Sequence, residues 1–480
     1  MQNNRIVKHT ANKTGNTLSF YLLTFLLIIC TPNSEAQDSV LMNYIRTGLE
    51  NNLALQQKHL SWKKSLTALK KSKALFFPDI SLNARYSIAE GGRVIDLPVG
   101  DMLNPVYATL NQITSNLQEA GLSDYTFSDT RIENESIHFL RPTEHETKIR
   151  LAQPLFNTDI YYNRRISEEL AKAEKASLVS YKRELIAEIK TAYFNYLKTT
   201  ELLELLHQTE KLTRENLRTS QSLFENQKIT YDEVLKAKTE QSKLEGRIAE
   251  AMKNNKSAAA YFNFLLNRPL EELVIKTKLY KNQQSIPNLE EIKKQALNRR
   301  EELQMLDHQN QATHENLKLN KAKKLPRVSA VVDYGFQGEE YNFSGEYDYL
   351  LASVVLQWNL FSGRKNKAEI QQALIEKNMA QKSYEKAQNQ IQLQVINTYY
   401  SLEAAYKNIR AVKQEAETAG EVFRMVNKKY GQGQAGMLEF TDAKNAMTSA
   451  EQKLIIAKYD FHIKMAELEK AGALLTIPDM

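Results

Sequence analysis

Two acids, Glu439 and Asp442, stand three residues apart just beyond a glycine-rich turn, Tyr430-Gly431-Gln432-Gly433-Gln434-Ala435-Gly436. On a helix that spacing puts both carboxylates on one face, where they repel each other and attract cations. Carboxylates so spaced are ordinarily just a solvated face. Catalysis would ask for more. No serine, histidine and acid stand in a usable pattern, and the 8 histidines are dispersed without metal-ligand spacing. Gly431, Gly433 and Gly436 fit a turn with positive φ better than a phosphate cradle, because no lysine-serine pair or strand-to-helix context follows. Tyr193-Phe194 with Tyr196, and Tyr399-Tyr400, read as helix packing and not as a ligand site. These residue types point away from an enzyme: no catalytic residue, metal or cofactor is expected.

The turn has an earlier counterpart about 206 residues upstream, Phe224-Glu225-Asn226-Gln227-Lys228-Ile229-Thr230. Ala192-Tyr193-Phe194 matches Thr398-Tyr399-Tyr400 at the same offset, and Gln153-Pro154-Leu155-Phe156 echoes Gln357 to Phe361 with a one-residue slip. A duplication of such long period suggests a stacked or ring-shaped architecture. Each copy has a long helix leading to the turn and another returning from it. Tyr161 to Glu225 contains no proline or glycine, and Lys365 to Tyr430 has one glycine, Gly420. At 1.5 Å per residue, each spans roughly 100 Å. The returning helices repeat every seven residues: Ala237, Leu244, Ala251, Ala258 and Leu265 in one, Ala443, Ala450, Ala457 and Ala471 in the other. Lys464 is the exception in that frame. The pattern predicts antiparallel coiled-coil hairpins with closely approaching helices.

Ahead of each hairpin the apolar period changes from seven to two. Ile80, Leu82, Ala84, Tyr86 and Ile88 alternate with Ser81, Asn83, Arg85 and Ser87. Strands are expected at about 79–88, 147–156, 327–336 and 349–361, with Pro154 marking an edge or an exit. Residues 89–145 read as irregular and polar, with a short helix near Val106 to Leu117, and 337–348 as a much shorter loop. Four strands cannot close a barrel, which needs about eight. In lipid an open sheet leaves its edges unpaired. If these are membrane strands, three chains must share one barrel of twelve.

Glycine (16) and proline (10) are scarce, as suits long helices. The net charge is +7, scattered without a basic stripe interleaved by aromatics, so nucleic-acid binding is not expected. Residues 1–36 resemble a secretory signal: Arg5, Lys8 and Lys13, then Phe20 to Ile29, then Ser34-Glu35-Ala36 as the cleavage site. Cys30, the only cysteine, falls inside it. Ile28-Ile29 precede it where lipid-bearing cysteines generally follow small residues, which favours cleavage after Ala36. The rest divides into a first repeat at 37–264, a connector at 267–300 with a short strand at Leu273-Val274-Ile275, a second repeat at 301–472 and a tail at 473–480.

With these pieces in order, the chain resembles the TolC-like outer-membrane efflux proteins from about Val40 to Gly472. The most specific matches are Tyr430-Gly431-Gln432-Gly433 through Glu439-Phe440-Thr441-Asp442-Ala443, and Leu360-Phe361-Ser362-Gly363 as the strand-to-helix exit. The resemblance implies a mainly α protein whose four antiparallel strands per chain form a 12-stranded barrel in a homotrimer. Paired hairpins would form an α-helical tunnel into the periplasm, opened by a periplasmic adaptor and an inner-membrane pump. It implies that Glu439 and Asp442 form acidic constriction rings and that Tyr430 helps close the mouth. Gly433, Gly436, Asn226 and Lys228, in the tip turns, would contact the adaptor. Glu233 and Lys236 hold the matching places at the first tip, which looks less acidic. The family often carries a basic residue where this chain has Ala435, so an ion pair there lacks its cation. The alternatives are a periplasmic adaptor, which typically has one hairpin per chain, and a purely structural coiled coil, which leaves the alternating strands unexplained.

Overall fold

The computed structural model describes residues 35–125, 131–277, 288–475 and 477, so the expected leader lies outside the described residues except at its last two positions. The chain forms two compact units, one of residues 66–169 and 311–378, the other of residues 35–65, 170–310 and 379–477, each within the described residues.

The first unit is built on a four-stranded antiparallel sheet of β1 (Asp79–Ile88), β4 (Thr143–Phe156), β5 (Arg327–Gly338) and β6 (Asp348–Gln357), in the order β1-β4-β5-β6. Pro154 lies past the last rung with β1, beside a bulge against β5, where its missing N–H breaks nothing. The final strand stops at Gln357, short of the expected 361, and Trp358 Nε1 donates to Lys324 O just beyond it.

Residues 89–142 depart furthest from expectation. They hold a two-stranded ribbon, β2 (Val94–Leu97) with β3 (Glu135–His138), and a helix, α3 (Val99–Glu119), longer than the expected 106–117. Asn104 and Asn134 explain the order. Asn104 exchanges hydrogen bonds with the Ile132 backbone, and Asn134 accepts from Asp101 N while donating to the Asp101 carboxylate. Polar side chains that looked like loop residues satisfy the start of the helix instead.

The second unit is helical. It takes in α1 (Glu35–Asn51, side chains from Val40), most of α2 (Leu53–Ala74) and most of the long helices α4 (Thr158–Glu225) and α8 (Lys365–Gly431). The returning helices α5 (Tyr231–Leu265) and α9 (Met437–Ala471) lie wholly within it, as does α6 (Leu289–Arg299), while α7 (Glu301–Ala322) begins there. The seven-residue frame is where the packing is: Ala237, Leu244, Leu265, Ala443, Ala450, Ala457 and Ala471 are all buried. One core gathers Tyr44, Ile45, Ile189, Tyr193, Leu197 and Phe262, and another Ile292, Leu303, Val395, Leu402 and Leu468. No helix among the described residues is long and apolar enough to cross a membrane.

The connector carries no strand at 273–275. Tyrosine hydroxyls take those backbone groups: Tyr44 accepts from Ile275 N, Tyr193 donates to Ile275 O and Tyr196 to Val274 O. A segment so satisfied needs no partner strand. Buried ion pairs pin the far side of the connector, Arg183 binding Glu301 with two bonds of 3.0 and 2.6 Å. Residues 278–287 of the expected connector lie outside the described residues.

Candidate functional site

Within the first unit, the period-two pattern becomes two chemically different faces. Leu82, Ile149, Tyr334 and Leu350 share one rung, and Ile80 and Leu151 lie two residues away on the same face. Ile80, Leu82, Ile88, Leu350, Val354 and Leu356 are exposed. Side chains alternate across a strand, so the next rung, Asn83, Lys148, Gly335 and Tyr349, lies on the opposite face. There Arg150 grips Asp333 through two bonds of 2.8 and 2.7 Å. Lys148 and the Tyr349 hydroxyl both donate to Glu146, at 2.6 and 2.8 Å. One face is fit for hydrocarbon and the other for water. Among the described residues, both outer strands, β1 and β6, lack a neighbour on one side.

At the end of this sheet where β5 turns into β6, aromatic rings crowd the apolar face. His145 is fully buried and stacks on Tyr341, with centroids 4.4 Å apart; Tyr341 stacks in turn on Tyr86. Phe343 meets Phe336 edge-on. Neither nitrogen of His145 has a hydrogen-bond partner among the described residues.

The second unit supplies the tips. At the first, Gln227 adopts φ +57°, Gln227 N donates to Phe224 O and Lys228 N to Leu223 O. At the second, Gly433 adopts φ +74°, Gly433 N donates to Tyr430 O and Gln434 N to Lys429 O. The two turns are the same helix-ending motif, 206 positions apart. Glycine pays no steric cost in that conformation, whereas Gln227 does. Asn226 and Lys228 are exposed, as is Gly436, which caps α9.

Tyr430 is buried between the hairpins. Its ring lies 4.9 Å from that of Phe440, in a cluster with Ala237, Phe423, Val426 and Met437. Ser220 Oγ donates to Asn216 O, so the Tyr430 hydroxyl, 3.1 Å away, is the donor to Ser220. That bond joins α8 to α4. Burial raises the phenol's pKa, which keeps it protonated.

Glu439 and Asp442 are exposed on the first turns of α9, and neither pairs with a cation among the described residues. The structure does not bring them to Tyr430's side of the helix. It brings Lys444 there instead, a residue to which the sequence drew no attention. The Lys444 side chain is 5% exposed, and its ammonium lies 3.6 Å from Glu240 of α5. Burial pushes this ammonium below its ordinary range, with Glu240 pulling it back only in part. Burial also pushes the Glu240 carboxyl up, but the bond from Lys243 and the Lys444 charge outweigh it and hold the group below the usual range. Lys238, the matching lysine of the first copy, is exposed, so no local signal could have separated the two.

Residues 292–473 match the family model described as outer membrane efflux protein. The alkaline protease secretion protein AprF of Pseudomonas aeruginosa is 23% identical over 339 residues, which cover 69% of this chain and 70% of AprF. Among solved structures, the outer-membrane channel OprN superposes with a TM-score of 0.73 at 16% identity, covering 91% of this chain and 90% of its own. The Campylobacter jejuni CmeC outer membrane channel does so with 0.73 at 13% identity, covering 98% and 94%.

Proposed function

We propose, from its membership of the TolC-like outer-membrane efflux proteins, that this chain is the outer-membrane exit duct of an export system, a passive channel and not an enzyme. The observation that carries the reading is the sheet. It has an exposed apolar face, a face of ion pairs and two open edges. Such a sheet is stable in lipid only when sister strands complete it, because unpaired backbone groups in hydrocarbon are costly. Three chains would contribute twelve strands, a number that closes with an aqueous interior. The polar rungs would line that interior. The aromatic cluster around Tyr341 is of the kind found where barrels meet the membrane surface.

The helical hairpins would continue the duct into the periplasm. Its mouth would be gated at the tips, where Tyr430 with Ser220, and Lys444 with Glu240, tie one hairpin to the other. Opening is then a shift between two packings, driven by whatever binds the open one better. In this reading an adaptor and an inner-membrane pump supply that difference, with Gly433, Gly436, Asn226 and Lys228 in the exposed turns that meet the adaptor. Three copies of Glu439 and Asp442 would place acidic rings at the entrance. AprF is named for protease secretion, while OprN and CmeC are channels; an exit duct is what those descriptions share.

The test is electrophoretic. Extracted from the outer-membrane fraction without heating, the protein should migrate as a trimer and collapse to a monomer on heating. Recovery as a water-soluble monomer would end the reading.

A further inference from the structure

We propose that α3 is a trimerisation helix: α3 and its two symmetry mates pack as a parallel coiled coil at the sheet end where the 89–142 insertion joins β1 to β4. This rests on the trimeric duct but does not follow from it, since a barrel closes through its strands alone.

The spacing is the first argument. Leu103, Val106, Leu110, Ile113 and Leu117 alternate in steps of three and four, the a and d positions of a heptad. The a positions are Leu103, Leu110 and Leu117; the d positions, Val106 and Ile113, are β-branched. Leucine at a with a β-branched residue at d favours associations larger than dimers. Pro105 falls at position c, away from the seam, so its missing N–H does not interrupt the stripe.

The stripe is also exposed. All five seam residues are between 37% and 54% exposed, and Met102, beside the seam at g, is 70% exposed. Nothing among the described residues covers them. The helix is nonetheless fixed in place. Gly100 and Thr114, both at e, are buried, and a Cβ on Gly100 would meet Ile132 O at 2.3 Å. The insertion thus holds α3 by one flank and leaves the seam free.

Charge selects the occupant. A helix that lies on a membrane surface carries lysine and arginine around its apolar face. α3 has neither: its only charged residues are Asp101 and Glu119. Residues 89–142 as a whole hold 8 acids against 3 arginines, which disfavours an anionic lipid surface. An identical apolar seam is the complementary surface. The threefold axis that closes the sheet brings three copies to the same end, and rotation about it gives all three the same direction along the axis, as a parallel coil requires.

Cysteine cross-linking tests this in native membranes. Cys30 is the only native thiol, so the parent chain serves as the blank. Side chains at d in a parallel coil approach within disulfide range and those at f do not, so oxidation should link Ile113→Cys chains in pairs at least roughly tenfold more than Ser115→Cys chains. Unheated gels of the same samples report the trimer separately. If the trimer is present but Ile113→Cys links no better than Ser115→Cys, the seam does not self-associate, the proposal fails and the duct reading stands. If no sample shows a trimer, the duct reading fails and the proposal fails with it. If brominated lipid quenches a fluorophore attached at Ile113→Cys, lipid is the occupant and the proposal is overturned.

Discussion

Glu240→Gln is the sharpest perturbation of the tip. Lys444 is almost fully enclosed and Glu240 is its counter-charge at 3.6 Å. At an effective dielectric of about 20, that separation corresponds to roughly 5 kcal/mol of attraction. Much of this only offsets desolvation, and removing one partner of a buried pair typically costs about 3–5 kcal/mol. Glu240 keeps a fifth of its side-chain surface in water, so the lower end applies, about 3 kcal/mol. If opening separates α5 from α9 at the tips, that loss falls on the closed packing alone and favours opening roughly a hundredfold. Lys444→Met in the same chain should undo most of it, since an apolar side chain of similar length fills the site without a stranded charge. Single-channel recording in planar bilayers reads the open probability of the parent, the two single variants and the double variant, which form a complete cycle. Acid should act in the direction of Glu240→Gln. A carboxylate held below its ordinary value of 4.5 contributes stability that is complete above that value and lost as pH falls through its folded value. Lys444 runs the other way, its depressed ammonium adding stability as pH rises through its folded value toward 10.5. The reasoning is refuted if Glu240→Gln trimers are intact yet open no more often than the parent.

Two further outcomes are expected. Replacing Glu439 and Asp442 by alanine should lower cation-over-anion permeability while changing stability by no more than about 0.5 kcal/mol, since both are exposed and pair with no cation among the described residues; unchanged reversal potentials in a salt gradient would show that neither lines the pore. Gly335→Ala would set a Cβ 2.5 Å from Thr147 O, a backbone atom that moves only if β4 and β5 separate. It should cost about 2–3 kcal/mol and lower the temperature at which the unheated trimer dissociates on a gel.

Much of the architecture is written in periodicity. The alternation from Ile80 to Ile88 and the seven-residue repeats from Ala237 and Ala443 are local patterns: the repeats name the face their helices bury, and the alternation names an apolar face that stays exposed on the chain. The second tip turn was legible in part: of the three glycines read as left-handed only Gly433 is, Gly436 capping α9 at φ −83°, while the first tip puts Gln227 in that conformation. Other features depended on what the chain folds against. Lys238 and Lys444 hold equivalent places in their repeats, yet one is solvated and the other enclosed. The order within 89–142 depends on Asn104 and Asn134 reaching across about thirty residues, and the missing strand at 273–275 depends on tyrosines from two distant helices. Periodicity is a property of neighbours along the chain, so the sequence by itself determined the long helices, the four long strands and which face of each is apolar. Which charge is enclosed, and which polar group answers another, depends on residues far apart in sequence, and only the tertiary structure decided it.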